Sequence, residues 1–246
     1  MAIARLTHPV RRVPFATEPN APPGYYPVEI VAMDESLVAN WHSTVQPRID
    51  AQYGTWPEER DPRFIRADVH WNWRHNLRLA QLHNFATRLP GNRSGKSVAW
   101  SLVLTDAGAK RFPIGMLTVV PDFNCTVEGV SGSRSFVWYL SDAPAECYHD
   151  LGIRPARGVA KVLIDTALQT RLELGLDGAS LLHADPRGGE KLLKFYETGC
   201  GMLRVDDTGE RISIFRPMRL GEYFRMEDAE ARLFCSKLDS NRILEV

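Results

Sequence analysis

The segment that most constrains this chain runs from Ser135 to Met202. Its bulky residues alternate through Phe136, Trp138 and Leu140, take helical spacing after Gly158, return to a short apolar run from Ala179 to Ala184, and become helical again after Gly188 and Gly189. A period of two marks strands and a period near 3.6 marks helices. The segment therefore reads as strand, long turn, glycine-led helix, strand, helix, with Tyr196 near its end. That is the order of a cofactor site, because a glycine at a helix start puts no side chain in the way of a phosphate and the first-turn amides lack intrahelical partners.

The rest of the chain extends this pattern. Residues 1–25 carry Pro9, Pro14, Pro19, Pro22 and Pro23, which fix φ and remove donors, so they form an extended arm rather than a helix or a central strand. From about residue 26 to the end a single domain is expected, with a C-terminal extension from about 217. Tyr26 to Met33 reads as the first strand, and Asp34, Glu35 and Ser36 offer caps for a helix to about Val45. Asp61 to about Leu89 reads as a second helix, with Phe64, Val69, Trp73, Leu77, Leu79, Leu82 and Phe85 as its apolar face. Three strands follow, Val98 to Thr105, Pro113 to Val120 and Ser135 to Leu140, as an antiparallel meander with a long loop before the third. Arg211 to Phe215 reads as a later strand and Glu227 to Leu238 as a terminal helix.

Composition excludes several function classes. Thirty basic residues balance thirty acidic ones, so no global field attracts nucleic acid or an anionic membrane, and neither is an expected partner. The four cysteines form no CxxC pair and no scaffold spacing, which argues against a structural metal and for a reducing, cytoplasmic setting. Arg5, His8, Arg11 and Arg12 interrupt the N-terminus where a signal peptide needs an apolar run. A monomer or homodimer is expected.

Two local patterns are set aside. Pro90 to Ser97 imitates a P-loop, but Gly91 and Gly95 stand one residue too close and a strand follows where a helix is needed. His70 and His75 are five apart, whereas two ligands on one helical face want spacing three or four, so metal binding is set aside; packing is the leading reading of the stretch with Trp71 and Trp73, and lining an acceptor pocket is the alternative.

The element order resembles the GNAT superfamily of N-acetyltransferases. Arg154 to Ala160 looks like the family's pyrophosphate loop, Q/R-x-x-G-x-G/A; Ser180 to Pro186 resembles the strand that splays from its neighbour; Lys194 to Gly201 resembles its FYxxxGF segment, with Tyr196 at the tyrosine position. In this sequence Pro155 stands where Gln or Arg is usual, Arg154 comes one position early, Ser141 to Gly152 lengthens the connection before the loop, and Cys200 replaces the usual aromatic. The resemblance implies an α/β (α+β) fold, with a mixed, mostly antiparallel sheet flanked by helices and a splayed strand pair forming the acyl-CoA site.

The resemblance also implies an activity, acetyl transfer from acetyl-CoA directly to a primary amine, with another acyl donor or a non-catalytic CoA- or protein-binding scaffold as alternatives. The implied cofactor-binding residues are Leu140, Arg154, Arg157, Gly158, Val159, Ala160, Lys161 and Tyr196, with a strand kink near Tyr139 to Ser141 presenting a backbone N–H to the thioester carbonyl. Tyr196 is the implied general acid. An amine with a reference pKa of about 10.4 must lose a proton, and His183, Asp142, Glu146 and His149 are the candidate bases; Asp185 reads as a turn or cap. No cysteine has a His/Asp neighbourhood that recommends a covalent route.

Overall fold

A computed structural model describes residues 5–15, 24–54, 65–88, 94–105, 111–206, 211–213, 216–217 and 223–243. Eight strands form one sheet in the order β1-β2-β3-β4-β5-β6-β10-β7. They are β1 (Arg12–Phe15), β2 (Gly24–Ala32), β3 (Val98–Leu104), β4 (Phe112–Val127), β5 (Val130–Asp142), β6 (Ser180–His183), β7 (Leu203–Arg204) and β10 (Tyr223–Met226). β8 (Arg211–Ser213) and β9 (Arg216–Pro217) make a separate pair. β5 and β6 run parallel, and the other named pairs of the large sheet are antiparallel. This is the mixed, mostly antiparallel sheet that the resemblance implies. Proline is tolerated on an edge strand, where no ladder donor is required, so the arm supplies β1 at the sheet's margin. β10 lies inside the sheet although it follows residue 217.

The helices are α1 (Glu35–Thr44), α2 (Gln46–Tyr53), α3 (Trp73–Ala86), α4 (Ala145–Asp150), α5 (Val159–Leu172), α6 (Gly189–Lys194) and α7 (Asp228–Ser236). Asp34 caps α1 through the Leu37 amide. Gly115 on β4 admits α5, since a Cβ there would meet Leu163 Cδ1 at 3.0 Å and Val159 Cγ1 at 3.1 Å. The main core lies in this layer, around Trp41, Trp73, Trp100, Met116, Leu163 and Leu168. A second cluster joins Val120, Phe123, Phe136, Leu181, Ile212 and Tyr223.

Three expectations need correction. The helix expected from Asp61 starts at Trp73: residues 65–72 form an irregular turn with His70 at φ 60°, and Asn72 accepts from the His75 amide as the helix cap, while Phe64 and Leu89 lie outside the described residues. Its buried face is Trp73, Asn76, Leu77 and Ala80, whereas Leu82 and Phe85 are each 63% exposed. The long loop before β5 is instead a tight hairpin: Glu128 and Gly129, at φ 51° and 78°, make the two-residue turn whose twist suits paired strands. On α5, Arg171 is 2% exposed.

Arg171 shows how the helix layer and the sheet are locked together. The β4–β5 ladder breaks between Val120 and Phe123. Arg171 compensates there, donating to Pro121 O at 2.8 Å and Ser133 O at 3.0 Å, and to Asp177 through Nε and Nη2. At the other end of the chain, Arg242 donates to Asp165 of α5 at 2.5 Å and to His8 O at 2.6 Å, and the Arg11 amide donates to Asn241 O at 2.9 Å. Arg242 is thus fastened to α5, and the N-terminal segment is fastened to residues 241–242. Replacing Arg171 by Met removes its hydrogen bonds to the Pro121 and Ser133 carbonyls and its pairing with Asp177. A loss of about 3 kcal/mol in unfolding free energy is expected, measured by urea titration against wild type.

Candidate active site

The β5–β6 ladder is short. Ser135, Phe136 and Val137 pair with Ser180, Leu181 and Leu182, and pairing then stops. At that point β5 carries a bulge: Val137 faces Val119 and Tyr139 faces Thr118, leaving Trp138 as the extra residue. A bulge bends its strand and ends local pairing, so β5 leaves β6 and a cleft opens between them. The expected kink near Tyr139 to Ser141 is therefore found one residue earlier, at Trp138.

The cleft holds a cavity of about 270 Å³. β5 contributes Trp138 and Leu140; β6 contributes Leu182 and His183; α5 contributes Ala160; Phe195 and Tyr196 close another side. Tyr196 begins its approach from a π-helical turn, Phe195–Gly199, a distortion often found at functional sites. It is 5% exposed, and its ring lies 5.4 Å from that of Phe224 on β10. Burial, reinforced by Cys200, Asp142, Asp68 and Asp185, pushes its pKa up, so the phenol keeps its proton across the neutral range. His183 sits half-buried with its ring 4.9 Å from Tyr223.

α5 opens at the rim. Gly158 adopts φ 74°, is exposed, and has nothing within 4 Å of where a Cβ would stand. The Val162 amide donates to Gly158 O, so the Val159, Ala160 and Lys161 amides precede the helical ladder. The positive end of the helix dipole adds to these donors. Together they favour negative charge at this helix start.

The sequence-predicted residues distribute unevenly. Leu140, Ala160, His183 and Tyr196 line the cavity, as does Asp142. Val159 turns its side chain into the core at 3% exposure, leaving only its amide to serve a ligand. Arg154 and Arg157 are exposed beside the helix start, and Lys161 is half-buried. Glu146 and His149 sit on α4 and do not line the cavity. Glu146 Oε2 is buried without a partner among the described residues.

On the opposite wall Trp71 lines the cavity, as the acceptor-pocket alternative for the aromatic stretch had it, while Arg66 and Asp68 were missed by sequence reasoning. Arg66 donates to both oxygens of Asp68, at 2.8 and 2.7 Å, and to Asp142 O at 2.7 Å and Oδ1 at 3.0 Å. Ser141 donates to Asp68 at 2.5 Å. This cluster ties the turn before α3 to the end of β5, and Trp71 of the same turn packs on Tyr139 with ring centroids 5.3 Å apart. The Asn72-Trp73 cap was the available signal: it ends the irregular turn and so places Arg66 and Asp68 outside the helix.

Burial alone would raise the Asp68 pKa, but the Arg66 guanidinium and the Ser141 hydroxyl overcome it and hold the carboxyl below its ordinary 3.8. A depressed carboxylate contributes stability that is present above the unfolded value and lost as pH falls through the folded one. Asp68→Asn should therefore cost about 3 kcal/mol at neutral pH. The gap between variant and wild type should narrow below pH 3.8, as chemical denaturation across pH would record.

No family model matches this sequence, and no curated protein matches it. Among solved structures it is similar to a GNAT-family acetyltransferase from Staphylococcus aureus, at 11% identity over 81% of this chain and 98% of that one, with a TM-score of 0.44. It is similar to a spermidine N-acetyltransferase from Vibrio cholerae solved with CoA and spermine, at 16% identity over 83% and 98%, TM-score 0.44. A PaiA N-acetyltransferase from Thermoplasma acidophilum with coenzyme A gives 12% over 81% and 98%, TM-score 0.42. The functional reading is carried by the geometry of the cleft.

Proposed function

We propose that the chain is an acetyl-CoA-dependent N-acetyltransferase of the GNAT superfamily, transferring the acetyl group directly to a primary amine. One observation carries the reading: a glycine-led helix start and a buried, protonated tyrosine lie on the same cleft, and that cleft exists because two parallel strands part at a bulge. The strand order across the parting also agrees with the element order expected from the resemblance.

In this reading the Val159, Ala160 and Lys161 amides hold the donor's pyrophosphate, with Arg154 and Arg157 as exposed cations nearby. Bound there, acetyl-CoA supplies an activated acyl carbon and a thiol leaving group. The β5 backbone past its last pairing with β6 at Val137 borders the acyl group, and a backbone N–H there would donate to the carbonyl oxygen as it gains charge. The amine nitrogen forms the new bond to the acyl carbon while the carbon–sulfur bond breaks. Tyr196 gives its proton to the departing sulfur, and the surplus proton on the amine passes to a base. His183 and Asp142 are the two candidate bases that line the cavity.

With acetyl-CoA at a hundredfold above its dissociation constant, folding stability should rise by about 2.7 kcal/mol, read as a thermal shift; no shift with acetyl-CoA or CoA would overturn the site. Tyr196→Phe should lower turnover roughly ten- to a thousandfold with folding intact. An unchanged rate would remove Tyr196 as the acid while leaving the binding reading standing.

A further inference from the structure

The loop before α5 is held by the N-terminal arm and by one tyrosine of β2. The Tyr26 hydroxyl accepts from the Arg154 amide at 3.0 Å and donates to the Arg154 carbonyl at 3.0 Å. The Arg157 amide donates to Pro14 O at 2.7 Å, and Phe15 bridges to Ala156. Proline lacks a donor, but its carbonyl still reaches a neighbour from an edge position. The Phe15 and Tyr26 rings contact each other at 4.5 Å. Phe15 can cross β2 because position 24 is glycine: a Cβ there would meet its ring at 1.9 Å.

We infer that β1 and Tyr26 form a strap that sets the shape of the phosphate-binding loop, with Tyr26 as its positioning residue. The inference rests on the acyl-CoA reading above. Tyr26 fixes the peptide groups on both sides of Arg154, Pro155 fixes the next φ, and Pro14 holds the Arg157 amide. Two of the loop's own amides are thereby consumed by the strap. The anion is left to Gly158 and the first turn of α5, and Gly158 is held in its left-handed conformation by the chain on either side. A loop fixed before binding costs less to order when the ligand arrives. The strap explains how the loop keeps its course with Pro155 in place of the family's usual Gln or Arg.

Tyr26→Phe tests this, because it keeps the ring contact with Phe15 and removes only the hydroxyl. Calorimetry should show acetyl-CoA bound about five- to tenfold more weakly, the size expected from losing a hydrogen-bonded clamp. The KM for acetyl-CoA should rise by a similar factor at unchanged kcat. S-acetylpantetheine, which lacks the pyrophosphate, should be used equally well by variant and wild type. Amide exchange at Arg154 should quicken, and the urea midpoint confirms that the variant is folded. Unchanged acetyl-CoA affinity, or an equal loss with both donors, overturns the strap. Absence of acetyl-CoA binding by wild type would instead remove the reading on which the strap rests, and the strap with it.

Discussion

Strand pairing that is begun and then abandoned governs this molecule. A parallel pair in a sheet interior normally satisfies its backbone groups along its whole length, because buried N–H and C=O groups without partners are costly. Here β5 and β6 pair over three residues and separate where Trp138 bulges out. The remaining structure either exploits that parting or contains it. α5 and the Tyr196 turn border the opening, while Arg66, Asp68, Ser141 and Asp142 hold the free end of β5 from the opposite side.

The same logic recurs away from the cleft, where a second break in the β4–β5 ladder is met by Arg171. At this second break a guanidinium stands where the register shifts, since its planar array of donors can serve several oxygens at once, whereas beside the cleft Arg66 holds the end of β5 at Asp142. The two breaks differ in outcome. Arg171 is almost fully enclosed and its break is sealed; the break at Trp138 is left facing a cavity. One is architecture, and the other provides a place for chemistry.

Much of this was legible in the residues. Gly158 with the helical spacing after it and the run from Ala179 to Ala184 follow local rules and landed within a residue or two of α5 and β6, while the alternation through Phe136 to Leu140 found the C-terminal half of β5 and missed its start at Val130. The residues of β5 alone do not mark the bulge at Trp138, because a bulge is a relation between two strands; only the family resemblance placed a kink beside it, at Tyr139 to Ser141. The hairpin at Glu128 and Gly129 was hidden for a related reason: a non-glycine residue at positive φ gives little local warning. The Arg66 cluster was hidden by a misplaced helix, since Phe64 and Val69 fit the apolar period well enough to extend it backwards past Asn72. Glu146 and His149 were close to the cleft in sequence, but α4 carries them away from it.

The attachment of the N-terminal segment to residues 241–242 bears on how the protein is made. Arg242 reaches Asp165 and the His8 carbonyl, and Asn241 receives the Arg11 amide. The arm that those contacts anchor is the one whose Pro14 carbonyl holds the Arg157 amide. Residue 242 must therefore leave the ribosome before residues near 11 find their final place. An early segment of the chain receives some of its partners from a late one, although β2 already pairs with the same arm.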